Sequence, residues 1–131
     1  MTDRSRKWQW DKQGDHDGHA RFHYEMVTGV TLSSPTCYLH ELTSTSPETW
    51  VDRSSEVTIT GTVVNALDDD GVVISGGTSR AVRVIITADT ETQPDVTDEP
   101  TPGKNYRVKI VATRSDTARP ISREVPLEIL P

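Results

Sequence analysis

The sequence is short of the residues that anchor most small folds. It has one cysteine, Cys37, and one phenylalanine, Phe22, and aromatic residues make up 5% of its 131 positions. A lone cysteine forms no internal disulfide, so the fold does not rest on oxidising conditions; in a β-rich stretch such a thiol reads as a small core residue. Apolar residues reach only 33%, below the ~45–50% usual for globular chains, so part of the chain is expected in loops, an arm or assembly surface. No run of about 18 apolar residues occurs, so no membrane-spanning helix is expected. Basic residues are outnumbered and the net charge is −6, which argues against general nucleic-acid binding and against an anionic membrane surface. The charged residues Asp3, Arg4, Arg6 and Lys7 are followed by no apolar segment. They do not read as a secretory signal, and synthesis in the cytosol is the expectation.

Catalytic signatures are missing too. No Walker loop, zinc ribbon or dinucleotide fingerprint occurs, and no serine or histidine lies in a recognisable nucleophile context. Carboxylates cluster only in stretches that read as solvated loops. The chain is therefore not expected to be an enzyme, and no catalytic, cofactor-binding or metal-binding residues are assigned.

What is present is alternation. The length suggests one domain, divided here into an N-terminal arm over 1–19 and a β-sandwich over 20–131. Trp8 and Trp10 lie two apart, so an extended chain turns both to one side. They either dock the arm on its own core or anchor it on a neighbouring subunit. Asp15-His16-Asp17-Gly18-His19, with His23 beyond, invites a metal reading, but its spacing matches no zinc motif and it lacks the later ligands of a calcium loop; a polar turn is expected. Residues 20–27 alternate, with Ala20, Phe22, Tyr24 and Met26 on one face and Arg21, His23 and Glu25 on the other. Gly29 and Ser33-Ser34 before Pro35 punctuate the chain. Residues 36–42 form a second strand, with Tyr38, His40 and Leu42 sharing a face. Residues 43–54 read as a Ser/Thr/Pro loop anchored on the core by Trp50 and Val51.

Val57 to Val64 is the cleanest strand, and Gly61 on its apolar face suits a bulge or a close backbone approach. Asp68-Asp69-Asp70-Gly71 reads as a turn, the commoner meaning of Asp-Gly than a calcium site. Val72 to Ser75 is short and apolar. It reads as a buried strand that turns at Gly76-Gly77 and pairs with the strand over 104–113, where Tyr106, Val108, Ile110 and Ala112 point inward. Residues 82–87 are another strand, and 88–102 an acidic, proline-bearing loop suited to solvent or to contacts. Val125, Leu127 and Ile129 mark the last strand, placed at a sheet edge because Pro126 donates no ladder bond. About seven or eight strands with regular turn signals predict an all-β antiparallel sandwich.

The order of these pieces resembles small structural proteins of tailed bacteriophages, of the tail or fibre adaptor type. The matching features are Trp10-Asp11-Lys12, the strand at Phe22 and Tyr24, Gly29-Val30-Thr31-Leu32-Ser33-Ser34, Val73-Ile74-Ser75-Gly76-Gly77, Tyr106-Arg107-Val108 with Thr113, and Arg123-Glu124-Val125-Pro126-Leu127-Glu128-Ile129. Residues 78–102 intervene where such proteins run almost directly from the double glycine into the tyrosine strand, and no tryptophan follows the serine pair. The resemblance implies an immunoglobulin-like sandwich with an extended arm. It implies a non-enzymatic virion component joining neck, tail or fibre parts, made in the bacterial host cytoplasm. Its implied partners are other virion proteins and further copies of itself in a ring, without nucleic acid, membrane or cofactor. A capsid decoration protein is a variant of this expectation. From another class, an immunoglobulin-like module could bind carbohydrate or protein through Trp8, Trp10 or Trp50.

Overall fold

The computed structural model describes residues 7–11, 14–22, 29–68, 70–88, 104–117 and 119–130. Its strands are β1 (Trp8–Asp11), β2 (His16–Arg21), β3 (Leu32–Thr45), β4 (Glu48–Asp52), β5 (Val57–Val64), β6 (Ala81–Ala88), β7 (Asn105–Arg114) and β8 (Pro120–Leu130). They form a five-stranded sheet in the order β1-β8-β7-β3-β4 and a three-stranded sheet in the order β2-β6-β5. The architecture is an all-β sandwich, with one apolar layer between the sheets.

That layer follows from the period-2 pattern. Tyr106, Val108, Ile110 and Ala112 of β7 point inward, as do Val125, Leu127 and Ile129 of β8. Facing them, β6 supplies Val82, Val84 and Ile86, each at 0% exposure. Burying such an aliphatic side chain contributes roughly 1.5–3 kcal/mol, so the central strands of both sheets carry most of the driving force. Ala20 and Phe22 are buried as the alternation requires; the rest of that expected strand, 23–27, lies outside the described residues, as does nearly all of the acidic loop.

Five expectations are corrected. First, residues 72–75 are not a buried strand and do not pair with β7, which lies between β3 and β8. Val72 is 60% and Val73 43% exposed, and an isolated bridge between Leu67 and Val73 is the segment's ladder contact. The local turn chemistry wins over the apolar run. Asp68 Oδ1 accepts from the Asp70 and Val72 amides at 2.9 Å each. The Ile74 amide donates to Ala66 O at 2.9 Å and the Gly77 amide to Ile74 O at 2.7 Å, with Gly76 at φ +74°. Second, 43–54 is not a loop: β3 runs through Thr45 and turns into β4, because the threonines that look loop-like are β-branched and suit an edge ribbon. Trp50 lies opposite Leu42 on the outer face rather than anchoring the core. Third, Ser33-Ser34 does not end an element; the register of β3 on β7 shifts between Ser33 and Thr36, with Ser34 at φ +51°, so Ser34 and Pro35 form a bulge. Fourth, the sandwich is not wholly antiparallel, since β1 pairs with β8 in parallel, Trp8 beside Leu127 through Asp11 beside Leu130. Fifth, β8 is therefore not a free edge along its whole length: among the described residues Leu127 and Glu128 are flanked by both β1 and β7.

The N-terminal segment is built into both sheets at 8–11 and 16–21, so the division at residue 19 falls within β2. Trp8 and Trp10 do face one side, and that side is the chain's own core: Trp10 is 1% exposed, and its Nε1 donates to Gly14 O at 2.8 Å.

At Gly61 the small sheet comes close to β3 of the large one. A Cβ there would lie 2.6 Å from Cys37 Sγ and 3.1 Å from Val82 Cγ1. Cys37 is buried on β3, with burial pushing its thiol up to about 11. Gly61→Ala is expected to destabilise by roughly 1–3 kcal/mol through overpacking. Adding Cys37→Ala should restore part of that loss, and chemical denaturation of the single and double variants measures both.

Candidate contact face on the large sheet

Outward-pointing positions alternate with the core positions along β3, β7 and β8. Register decides which of them meet. His40 of β3 lies beside Arg107 of β7 on one side and Asp52 of β4 on the other. Arg107 in turn is opposite Pro126, and Lys109 opposite Glu124. The outer face therefore gathers Tyr38, His40, Trp50, Arg107 and Glu124 from four strands.

Arg107 is the hub. Its guanidinium carbon lies 4.1 Å from the Trp50 ring centroid, a cation–π contact contributing about 0.5–1 kcal/mol at exposed sites and more when desolvated. Its Nη1 is 3.2 Å from Glu124 Oε2, and its Nε donates to His40 Nδ1 at 3.3 Å. That bond requires Nδ1 to carry no proton. Desolvation and then the Arg107 charge hold the His40 pKa below its ordinary value, which agrees with the geometry. Tyr38 stacks on His40 with centroids 6.2 Å apart, and Trp50 Nε1 donates to Glu48 Oε1 at 2.9 Å. Next to Trp50 runs a surface groove of about 220 Å³ bordered by Lys7, Lys104, Asn105 and Glu128. A second groove, about 270 Å³, lies on the small sheet beside His19, Arg21 and Leu67. Both fall below the roughly 300–1,000 Å³ of ordinary small-molecule sites. The face is thus an aromatic–cationic surface pinned by Arg107.

Behind this face, Glu41 is buried toward the core side. Arg53 Nε holds its Oε1 at 2.9 Å, and Lys104 Nζ lies 3.8 Å from its Oε2.

The histidine–aspartate stretch does not converge. His16 is buried on β2, whereas Asp17 and His19 point outward; His23 lies outside the described residues. Asp15 Oδ1 accepts from Thr87 Oγ1 at 3.0 Å. Asp17 makes a two-point pair with Arg83 at 2.9 and 2.6 Å, which holds its carboxyl below the usual range. Among the described residues no group of three His, Cys, Asp or Glu side chains gathers for a metal ion. His16 instead packs its ring 4.9 Å from the Trp8 ring and sets Nδ1 3.2 Å from Gln9 O. Its buried Nε2 has no hydrogen-bond partner.

The alternation of residues 36–42 already put Tyr38, His40 and Leu42 on one face. Arg107 was missed as the hub because nothing local in the sequence fixes the β3–β7 register that sets it beside His40. Compared with protein-family models, with curated proteins and with solved structures, the chain matches none.

Arg107→Ala should expose the Trp50 ring, shift its fluorescence to the red, and lower stability by about 1 kcal/mol, read by fluorescence-monitored denaturation. Burial, outweighing the Gln9 carbonyl and the Asp17 charge, lowers the His16 pKa below its ordinary 6.5. The unfolded chain then takes up a proton that the folded chain resists. Stability is complete above about pH 6.5 and falls as pH drops from there toward the depressed folded-state value. His16→Gln should flatten the decline in melting temperature between pH 7 and pH 5. A slope identical to the parent's would remove His16 as its source.

Proposed function

We propose that this chain is a non-enzymatic structural component of a bacteriophage virion, a multi-copy adaptor joining neck and tail or tail and fibre parts, built on an immunoglobulin-like sandwich. The strand order supports the fold part of this reading. With β2 to β8 lettered in turn as B, C, C′, D, E, F and G, the small sheet reads B-E-D and the large one G-F-C-C′, the arrangement of immunoglobulin variable-type sheets. The observation that carries the functional part is the outer face of the large sheet. Tryptophan, tyrosine and arginine are the residues enriched at interface hot spots, and here Arg107 holds Trp50 in place at 4.1 Å without closing a pocket around it. The sequence resemblance supplies the virion setting, with other neck, tail or fibre subunits as partners and a ring of copies as the assembly. A capsid decoration role uses the same kind of face.

One observation favours a second reading, a carbohydrate- or protein-binding module. Of the three tryptophans, Trp50 lies on the outer face beside a groove, while Trp10 is buried and Trp8 packs against the core.

Gold-labelled antibody imaging of purified phage particles carrying the protein tests the first reading. Label at the neck or tail is expected; label spread over the head moves the protein to the capsid, and unlabelled particles overturn the virion reading. Glycan-array binding that disappears in Trp50→Ala would establish the second reading instead.

A further inference from the structure

A histidine nitrogen that accepts a hydrogen bond from an arginine carries no proton of its own, because both nitrogens of the charged ring are donors. His40 is in that position. Arg107 Nε donates to its Nδ1 at 3.3 Å, so the ring proton sits on Nε2. The same guanidinium lies 4.1 Å from the Trp50 ring centroid and, through Nη1, 3.2 Å from Glu124 Oε2. One cation thus ties β7 to β3, β4 and β8, and its tie to β3 lasts only while His40 is uncharged. The groups around the ring are of both signs. On β3 itself Tyr38 stacks on it, centroids 6.2 Å apart. β7 brings the Arg107 and Lys109 charges, β4 brings Asp52, and β8 brings Glu124. In the ladder His40 lies between Arg107 on one side and Asp52 on the other. The Asp52 carboxylate accepts from the Ser54 amide at 2.8 Å, and its bonds to Ser54 hold its pKa below the usual range. Asp52 is therefore charged wherever His40 titrates.

We propose that His40 is an acid-triggered switch on this face: a proton at Nδ1 breaks the Arg107 bond, turns the ring toward Asp52 and loosens Arg107 from Trp50. The imidazole gains one proton from solvent, and Nδ1 changes from acceptor to donor. Two donors and two positive charges then face each other where the hydrogen bond stood, while Asp52 on the opposite strand offers a carboxylate. Arg107 keeps Glu124 and is drawn toward β8, away from β4 and the ring beside it. Desolvation, and then the Arg107 charge, hold the His40 pKa below its ordinary 6.5. The face is therefore assembled at neutral pH and changes as pH falls through the depressed value. The switch works within a single chain, needs no partner and does not rest on the virion reading. A partner that docks on Trp50 and Arg107 would meet a different surface in acid, with one more positive charge and a freer tryptophan.

Nuclear magnetic resonance of the isotope-labelled full chain, titrated from about pH 7 to about pH 4, tests the switch. The Arg107 Nε–H and Trp50 indole N–H signals are expected to move with one midpoint, that of the His40 ring itself. The indole signal lost in Trp50→Phe identifies Trp50 among the three tryptophans. In His40→Gln, neutral at every pH, both signals should lose that midpoint. Arg107→Gln removes a positive charge facing the ring and should raise the His40 midpoint; Asp52→Asn removes a negative one and should lower it. His16, whose pKa is also depressed, packs on Trp8, so its own titration is read on a different indole. Arg107 and Trp50 signals that stay flat while His40 titrates overturn the proposal. So does a Trp50 midpoint that persists in His40→Gln, or a chain that unfolds before His40 takes up its proton.

Discussion

Where Gly61 of β5 faces Cys37 of β3, the two sheets approach too closely for any side chain at residue 61. A strand rich in β-branched residues would ordinarily hold its neighbour off by a side-chain layer. At this point the layer is one sulfur thick, since a single added carbon would stand 2.6 Å from Cys37 Sγ. The small sheet can therefore settle onto β3 near its edge and still bury Val82, Val84 and Ile86 at the centre. With one phenylalanine in the chain, the core holds few rings, Trp10, Phe22 and Tyr106, and is otherwise filled by aliphatic side chains.

Polar groups that this packing forces inward are handled by short local partnerships. Arg80, 3% exposed, turns its Nε to the Val30 carbonyl at 2.7 Å, and the backbone around it ties Phe22 and Leu32 to the loop before β6 through the Arg80 and Ser79 carbonyls. Glu41 is matched by Arg53 and Lys104 at its rim. His16 is the exception, with one ring nitrogen satisfied and the other bare. It opens β2, just after the chain crosses from one sheet to the other, and there the core's dryness is purchased with a group that water would stabilise.

Strands whose inner and outer faces differ sharply were legible in the sequence. β5 was placed at its own bounds, Val57–Val64, and the inward sets of β7 and β8 were read residue by residue because apolar and polar positions alternate without interruption. Cys37 and Gly61 were each read by chemistry, one as a small core residue and one as a close approach, although no pattern showed that they touch. Failures came where composition competed with local bonding. Val72-Val73-Ile74 is apolar enough for a buried strand, but Asp68 captures the Val72 amide and folds the segment on itself. β4 is polar enough for a loop, but its threonine and tryptophan complete a ribbon with β3. The contact face was half legible: alternation put Tyr38, His40 and Leu42 together, while Arg107 joined them only through register, which is settled by long-range packing.

The parallel pairing of β1 with β8 couples residues that are far apart along the chain, Trp8 with Leu127 and Asp11 with Leu130. Contacts of such separation carry a large loop-closure entropy and form late. Trp10, paired with Ile129, takes its place in the large sheet only once β8 has been made. The large sheet thus has a seam that needs β8, and a nascent chain stopped short of residue 127 would leave Trp10 without the strand beside it, open to whatever binds exposed apolar surface.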